Sequence, residues 1–229
     1  MISSSLPIPS EQWRRFLVES SESMGAVLTP ADAVRFEAYA LELLAWNRKI
    51  NITAITDPKA IAVKHFVDSL VPAAYIPEHA TVLDIGSGGG FPGIPLGIHR
   101  PDLRITLVDS SRKRVNFQRA VLRKIRLENV TGIEAKLAEL VLQDEFRESF
   151  DVVISRAFTS FERWMIQAMP LVKRAGRLIA MVGAIDRKAS QEIQARCVDD
   201  AIDKIDTVPY TLPLASAMED RHLVVAFRK

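Results

Sequence analysis

The chain has 229 residues, of which 48% are hydrophobic and 25% charged, with a formal net charge of +2. A chain of this length and composition buries a substantial core, and neither a disordered nor a fibrous protein reads this way. No apolar run approaches the ~18 residues of a membrane span. The first ten residues lack the features of a signal peptide, and Cys197 stands alone. A cytoplasmic protein without disulfides or a membrane partner is therefore expected.

Residues 1–75 read as a helical N-terminal extension, packed on a core formed by residues 76–229. Trp13, Phe16 and Leu17 begin an amphipathic segment that stops near Gly25. Thr29-Pro30 supplies an N-cap and a proline at the first helical position, and predicts a helix to about Lys49. Asn51 to Thr56 is a loop, after which Asp57-Pro58 repeats the cap-and-proline signal. The next helix carries Ile61, His65, Asp68 and Ser69 to about Tyr75, with Pro72 bending its end. From Thr81 the pattern alternates. Strands are predicted at 81–85, 104–109, 129–135, 150–155 and 177–182, with helices near 92–99, 110–127, 161–170 and 185–198. Strands near 205–211 and 222–228 close the chain as a hairpin with one antiparallel member. The fold class is α/β, with a mostly parallel, doubly wound sheet of seven strands.

The apolar strand Thr81–Ile85 contains Asp84 and runs into Gly86, Ser87, Gly88, Gly89, Gly90 and Phe91. Glycines at the carboxyl end of a strand let the backbone turn sharply and approach a ligand, which is where open α/β sheets bind nucleotides. The spacing fits G-x-G-x-G. Phe91 stands where a dinucleotide fingerprint needs its third glycine. An acid two residues before the first glycine suits a cationic ligand bearing an amino acid. The pattern D-x-G-x-G-x-G resembles that of S-adenosylmethionine-dependent methyltransferases.

Asp109 ends the next apolar strand at the distance where such folds place a carboxylate on the ribose hydroxyls; a strand-end acid capping the following helix is the alternative. Between Ser110 and Leu127 stand seven bases, Arg112, Lys113, Arg114, Arg119, Arg123, Lys124 and Arg126, and no acid. Phe117, Val121 and Ile125 would face the sheet, leaving Arg112, Arg119, Arg123 and Arg126 on an outer face suited to RNA phosphates. A solvated basic helix is the alternative. Leu137, Ala138 and Glu139 follow the third strand, where loops line an adenine pocket. The fourth strand ends in Ser155-Arg156-Ala157 rather than the Asn/Asp-Pro-Pro-aromatic run of amino-group methyltransferases, which argues against an amine target. Arginine there can read a guanine edge or hold a phosphate; a salt bridge to a helix acid is the alternative. The four histidines, His65, His79, His99 and His222, form no ligand-spaced pair, and no metal is expected.

Several further runs accompany these motifs: Trp46-Asn47 with Asn51-Ile52-Thr53, Asp57-Pro58, and Lys64-His65-Phe66-Val67-Asp68-Ser69. Others are Phe91-Pro92-Gly93-Ile94-Pro95-Leu96, Val108-Asp109-Ser110 with Lys113-Arg114, Ile154-Ser155-Arg156-Ala157, and Arg221-His222-Leu223-Val224-Val225. From about Leu41 to Arg228 the chain resembles the bacterial 16S ribosomal RNA guanine-N7 methyltransferase G family, also called the glucose-inhibited division protein B family. The resemblance implies a Rossmann-like class I methyltransferase fold and a cytoplasmic enzyme. It also implies S-adenosyl-L-methionine as cofactor and 16S ribosomal RNA, or the small ribosomal subunit, as partner. Carried over by position, the cofactor contacts are Gly86, Phe91, Leu137, Ala138 and Arg156. Family members often have Glu at the position of Ala138, so backbone or Glu139 serves there. Asp84, Ser87, Gly88 and Asp109 complete the expected cofactor set. Arg156, Asp68 and His65 are the expected catalytic group. Arg221 joins the basic helix on RNA, and a monomer is expected. A noncatalytic RNA-binding module and a nicotinamide-dependent oxidoreductase are the alternatives.

Overall fold

The computed structural model describes residues 6–156, 161–185, 193, 201–213 and 218–229. The helix expected near 185–198 falls almost wholly outside these residues, as do Ala157 and Cys197.

Helix α1, Ser10–Ser23, buries Trp13 and Leu17, one turn apart. The Trp13 indole N–H donates to Pro58 O at 2.9 Å, which ties α1 to the third helical segment. Helix α2, Pro30–Ile50, begins at the expected cap. Thr29 Oγ1 accepts from Asp32 N–H, and Asp32 Oδ2 accepts from Thr29 N–H. It ends where Asn51 turns left-handed, at φ +48°. The third segment is not the even helix that periodicity suggests. It starts as α3, Pro58–Ile61, widens into a π-helical turn, Ala62–Val67, and resumes as α4, Asp68–Leu70. Pro72 stands in the 3-10 turn Val71–Tyr75 that closes it. Side-chain pattern alone does not reveal a π turn, a feature frequent at functional sites.

The sheet consists of β1 Thr81–Ile85, β2 Arg104–Asp109, β3 Val130–Glu134, β4 Phe150–Arg156, β5 Val172–Gly183, β6 Ile202–Pro213 and β7 Met218–Arg228, in the order β3-β2-β1-β4-β5-β7-β6. All pairings from β3 through β5 are parallel, and β7 is antiparallel to both β5 and β6. The seven strands and the single antiparallel member match the reading of the sequence. The last three strands are longer than expected, because the pairing continues past the apolar stretches. Pro209 is tolerated because β6 is an edge strand. Helices α5 Gly93–His99, α6 Arg112–Ile125 and α8 Phe161–Ala168 lie between the strands. A short α7, Leu137–Leu140, and a 3-10 turn, Asp144–Phe146, follow β3.

Alternation along the strands splits the core in two. Val82, Val152, Ile154, Ile179 and Met181 join Trp13, Phe36, Tyr39, Phe66, Phe91 and Phe117 in one cluster. Leu83, Val153, Leu178 and Ala180 join Phe161, Trp164 and Met165 in the other. The N-terminal helices therefore share a core with the sheet. Phe117 and Val121 of α6 are fully buried. The Phe117 ring packs on Tyr39 and Trp46 of α2, with centroids 6.3 and 5.8 Å apart, as well as facing the sheet. The strand order reverses between β1 and β4, and the carboxyl ends of these strands open the crevice where open α/β sheets bind ligands.

Candidate active site

The turn after β1 is built from backbone. Gly86, Gly88 and Gly90 have φ of +70°, +55° and +88°, a region that L side chains rarely adopt. The N–H groups of Gly86 and Ser87 donate to Val108 O at 2.8 and 3.0 Å, and those of Gly90 and Phe91 to Ser87 O. Gly88 N–H donates to Asp109 Oδ2 at 2.9 Å. The buried Gln118 amide of α6 spans the loop, with Nε2 2.9 Å from both Ser87 Oγ and Gly88 O. Gln118 was missed in the sequence, although a glutamine between Phe117 and Val121 on an apolar face is a legible signal.

Asp84 lies beneath this turn and is fully buried. Its Oδ2 accepts from Gly93 N–H at 2.8 Å, while Oδ1 has no hydrogen-bond partner. Burial pushes its carboxyl up to about 7. Gly93 must be glycine, because a Cβ there would lie 2.2 Å from Leu107 Cδ2 and 2.9 Å from Asp84 Oδ2. Asp84 thus anchors α5 under the loop rather than lining a cavity. Asp109 is 4% exposed, and its carboxylate already takes two backbone donors, Gly88 N–H and Ser111 N–H, the latter at 2.8 Å. Arg114 Nη1 stands 3.6 Å away. The carboxylate fastens the glycine turn to the start of α6.

Two cavities meet at this place. A recess of about 160 Å³ is lined by the glycine turn from Gly86 to Gly89, by Ile52, Thr53, Phe91 and Arg114, and by His65 and Arg156. A wider one of about 340 Å³ is lined by Ile55, Lys64, Asp68, Met181, Val182, Gly183 and Arg221, and again by His65 and Arg156. The shared wall is a layered stack. The Phe91 ring lies between His65 (centroids 4.5 Å apart, 9° between planes) and Tyr39 (5.5 Å, 19°). The Arg156 guanidinium sits 5.0 Å from its centre. The Tyr39 hydroxyl donates to Gly89 O, joining the stack to the glycine turn.

The three expected catalytic side chains come together as one hydrogen-bonded unit. Arg156 donates from Nη1 to Lys64 O at 3.0 Å and to Asp68 Oδ2 at 3.4 Å. Its Nη2 lies 3.2 Å from His65 Nδ1. Guanidinium cannot accept, so Nδ1 must, and the proton of the neutral ring sits on Nε2, which donates to Thr53 Oγ1 at 2.8 Å. Burial, with Arg156 and Lys64 adding to it, lowers the His65 pKa to about 3. Asp68 is almost fully buried, its carboxyl raised by burial, and it accepts from the Tyr210 hydroxyl at 2.7 Å. Thr53 is held by Asn47, whose amide pairs with both Thr53 N–H and Thr53 O. That pair gives a structural meaning to the Trp46-Asn47 and Asn51-Ile52-Thr53 runs. Tyr210 and Tyr39 carried no sequence signal of their own.

Of the remaining expected residues, Arg114 and Arg221 line a cavity and the others do not. Leu137, Ala138 and Glu139 form the start of α7 and line neither cavity; Glu139 Oε2 accepts from Lys136 N–H. Arg112, Lys113, Arg114, Arg119, Arg123 and Arg126 are all exposed along α6 and its end. Arg119 is the exception to a free outer face, since its Nε and Nη2 donate to Gly132 O at 3.1 and 2.8 Å. Arg221 lines the wider cavity. No group of three His, Cys, Asp or Glu side chains among the described residues could hold a metal. No helix there is long and apolar enough to cross a membrane.

Comparison with known proteins bears on this geometry. The chain is similar in fold to an S-adenosylmethionine-dependent methyltransferase from Aquifex aeolicus, with a TM-score of 0.55 at 15% identity over 77% of this chain and 96% of that one. A predicted O-methyltransferase from Agrobacterium tumefaciens gives a TM-score of 0.54 at 19% identity, over 70% and 80% of the two chains. In sequence it is 38% identical to the ribosomal RNA small subunit methyltransferase G of Geotalea uraniireducens, over 94% of this chain and 97% of that protein. It is 40% identical to the protein of that name from Desulforamulus reducens, over 78% and 76%. The family profile described as rRNA small subunit methyltransferase G, GidB, matches residues 32–224. The chain belongs to the rRNA small subunit methyltransferase G (GidB) family.

Proposed function

We propose that this chain transfers a methyl group from S-adenosyl-L-methionine to N7 of a guanine in 16S ribosomal RNA. The carrying observation is the pair of cavities joined at His65 and Arg156, one walled by backbone of the glycine turn and the other by side chains. The residues present fit the cofactor. A Cβ built on Gly86 meets nothing within 4 Å, and one on Gly88 meets only Gly86 O at 3.8 Å, so the turn leaves an open cradle at both. Backbone from Gly86 to Gly89, with Phe91 and Arg156, would hold the nucleoside there. S-adenosylmethionine, when bound, supplies an electrophilic methyl carried on a sulfonium.

N7 of neutral guanine carries a lone pair and no proton, so its methylation needs no general base. Among the described residues the site offers none. Nδ1 of His65 is taken by Arg156, Nε2 is engaged with Thr53, and the Asp68 carboxylate is held by Tyr210 and Arg156. These side chains act by position. The stacked His65, Phe91 and Arg156 form a stiff wall that keeps water out of the junction and fixes the approach of a base. The Asp68 carboxylate, facing the wider cavity, opposes the positive charge that the methylated guanine acquires. The exposed cations of α6 supply attraction for RNA phosphates.

Incubation with labelled S-adenosylmethionine and small ribosomal subunits lacking the mark tests this reading. Label should enter the RNA and coincide with a site of strand cleavage by aniline after borohydride reduction, the signature of N7-methylguanine. Label in protein, or RNA label resistant to cleavage, would remove the guanine-N7 assignment. Preferential stabilisation by NAD would instead favour an oxidoreductase.

A further inference from the structure

The wider cavity has a charged mouth that the transfer itself does not use. Lys64 of the π turn and Arg221 of β7 both line it. A single carboxylate bridges them. Glu219 Oε2 lies 2.6 Å from Lys64 Nζ, and Oε1 accepts from Arg221 Nη2. The three side chains are open to water, at 31%, 32% and 25% exposure for Lys64, Glu219 and Arg221. The Arg221 Nε is nevertheless buried, and it lacks a hydrogen-bond partner. One donor edge of this guanidinium is therefore unused by the carboxylate that faces it.

A lysine and an arginine converging on one carboxylate form an arrangement that also suits a phosphate. Both anions present paired oxygens to a guanidinium, so the two non-bridging oxygens of a backbone phosphate can take the place of the Glu219 carboxylate. The hydrogen bond from Lys64 holds the Glu219 carboxyl below the usual carboxylate range despite its partial burial, so the bridge is ionic in neutral solution. Glu219 sits near the start of β7, paired with Leu212 of the edge strand β6, so its side chain can swing away while the ladder stays intact.

We propose that Lys64 and Arg221 form the subsite for a backbone phosphate adjoining the target nucleotide, and that Glu219 fills it in the free protein as a built-in stand-in which RNA displaces. The inference rests on the reading of the ligand as RNA. It differs from attraction by α6, because the phosphate here is fixed beside the cavity that takes the base. It also makes Glu219 a restraint on binding other polyanions.

The test is equilibrium binding of the full chain to unmethylated small ribosomal subunits across a salt series, for the parent protein, Glu219→Gln and the double variant K64A/R221A. Glu219→Gln keeps the shape and removes the competing charge. It is expected to bind about 3- to 5-fold more tightly, a gain typical of releasing an exposed ion pair. The double variant is expected to bind about tenfold more weakly, with a salt slope shallower by about 1 to 2. Unchanged or weaker binding by Glu219→Gln overturns the stand-in role, and an unchanged salt slope in the double variant overturns the phosphate subsite. Thermal melting of each variant, matched to the parent, confirms that folded proteins are compared. Methyl transfer by the parent protein, run alongside, separates the two levels. Active transfer with unresponsive variants sinks this inference alone, whereas no transfer to RNA sinks the enzymatic reading beneath it.

Discussion

The two cavities are built by different means. The smaller is made by contiguous backbone. Gly86 to Phe91 hydrogen-bond within the turn and to the end of β2, and the side chains that steady them, Asp109 and Gln118, do so through backbone or Ser87. The wider one is made by residues brought from six places in the chain: the loop after α2, the π turn, α4, the end of β4, the end of β5 and the start of β7. The bonds that Arg156 and Tyr210 make to the third helical segment join residues 88 to 142 positions apart. A cradle of backbone holds a ligand by shape and donor direction, and it tolerates change only where a Cβ fits. A wall of side chains holds its form through a network, so losing one member unsettles the others.

The most damaging change expected is on the backbone side. Gly86→Arg puts a long side chain into the open cradle at φ +70°, a conformation costing an L residue about 1–2 kcal/mol. Titration calorimetry should show no S-adenosylmethionine binding, with a far-UV spectrum like that of the parent. Retained affinity would place the cofactor elsewhere. On the other side, Arg156→Ala removes the donor shared by Lys64 O, Asp68 and His65. It is expected to lower kcat about 100-fold through lost positioning, while the protein still melts cooperatively. Arg156→Lys should recover little, since one ammonium cannot serve that fork. A full recovery would reduce Arg156 to a simple charge.

Tyr210→Phe should cost less. It strips the Asp68 carboxylate of one buried donor, for about 1–3 kcal/mol of stability read in urea denaturation. It should raise KM for the RNA more than it changes kcat. The last effect is on pH dependence. His65 titrates near 6.5 unfolded and near 3 folded. Between those values the unfolded chain binds more protons, so the stability His65 contributes is present above 6.5 and is lost as pH falls toward 3. Asp84, raised from 3.8 to about 7, acts in the opposite sense, weakening the fold as pH rises over that span. Comparing the urea midpoint of the parent with that of His65→Gln from pH 7 to 4 isolates the histidine. Parallel curves would mean that His65 titrates alike in both states.

The difference between the cavities also explains what could be read in advance. The glycine turn, the strand-end Asp109 and the capped helices α2 and α3 were legible because each is a local conformation written in adjacent residues. Thr29-Pro30 and Asp57-Pro58 fixed helix starts to the residue. The π turn was not legible, since the pattern of Ile61, His65 and Asp68 reads equally well as an α-helix. That Asp84 braces Gly93 was not legible either, because the direction of its side chain depends on how α5 packs over β1. Leu137, Ala138 and Glu139 were placed after β3 by the strand order, and there they open the short helix α7.

Sequence by itself determined the alternating α/β order, the seven strands, the glycine turn and the basic face of α6, because these follow from periodicity and from backbone freedoms that neighbouring residues settle. Tertiary structure alone decided that His65, Asp68 and Arg156 form one unit with Tyr210 and Thr53, and that the charges of Lys64, Arg221 and Glu219 meet at one mouth. Such meetings depend on which strands lie side by side and on which face each helix buries, and those are set by packing over the whole chain rather than by any stretch of it.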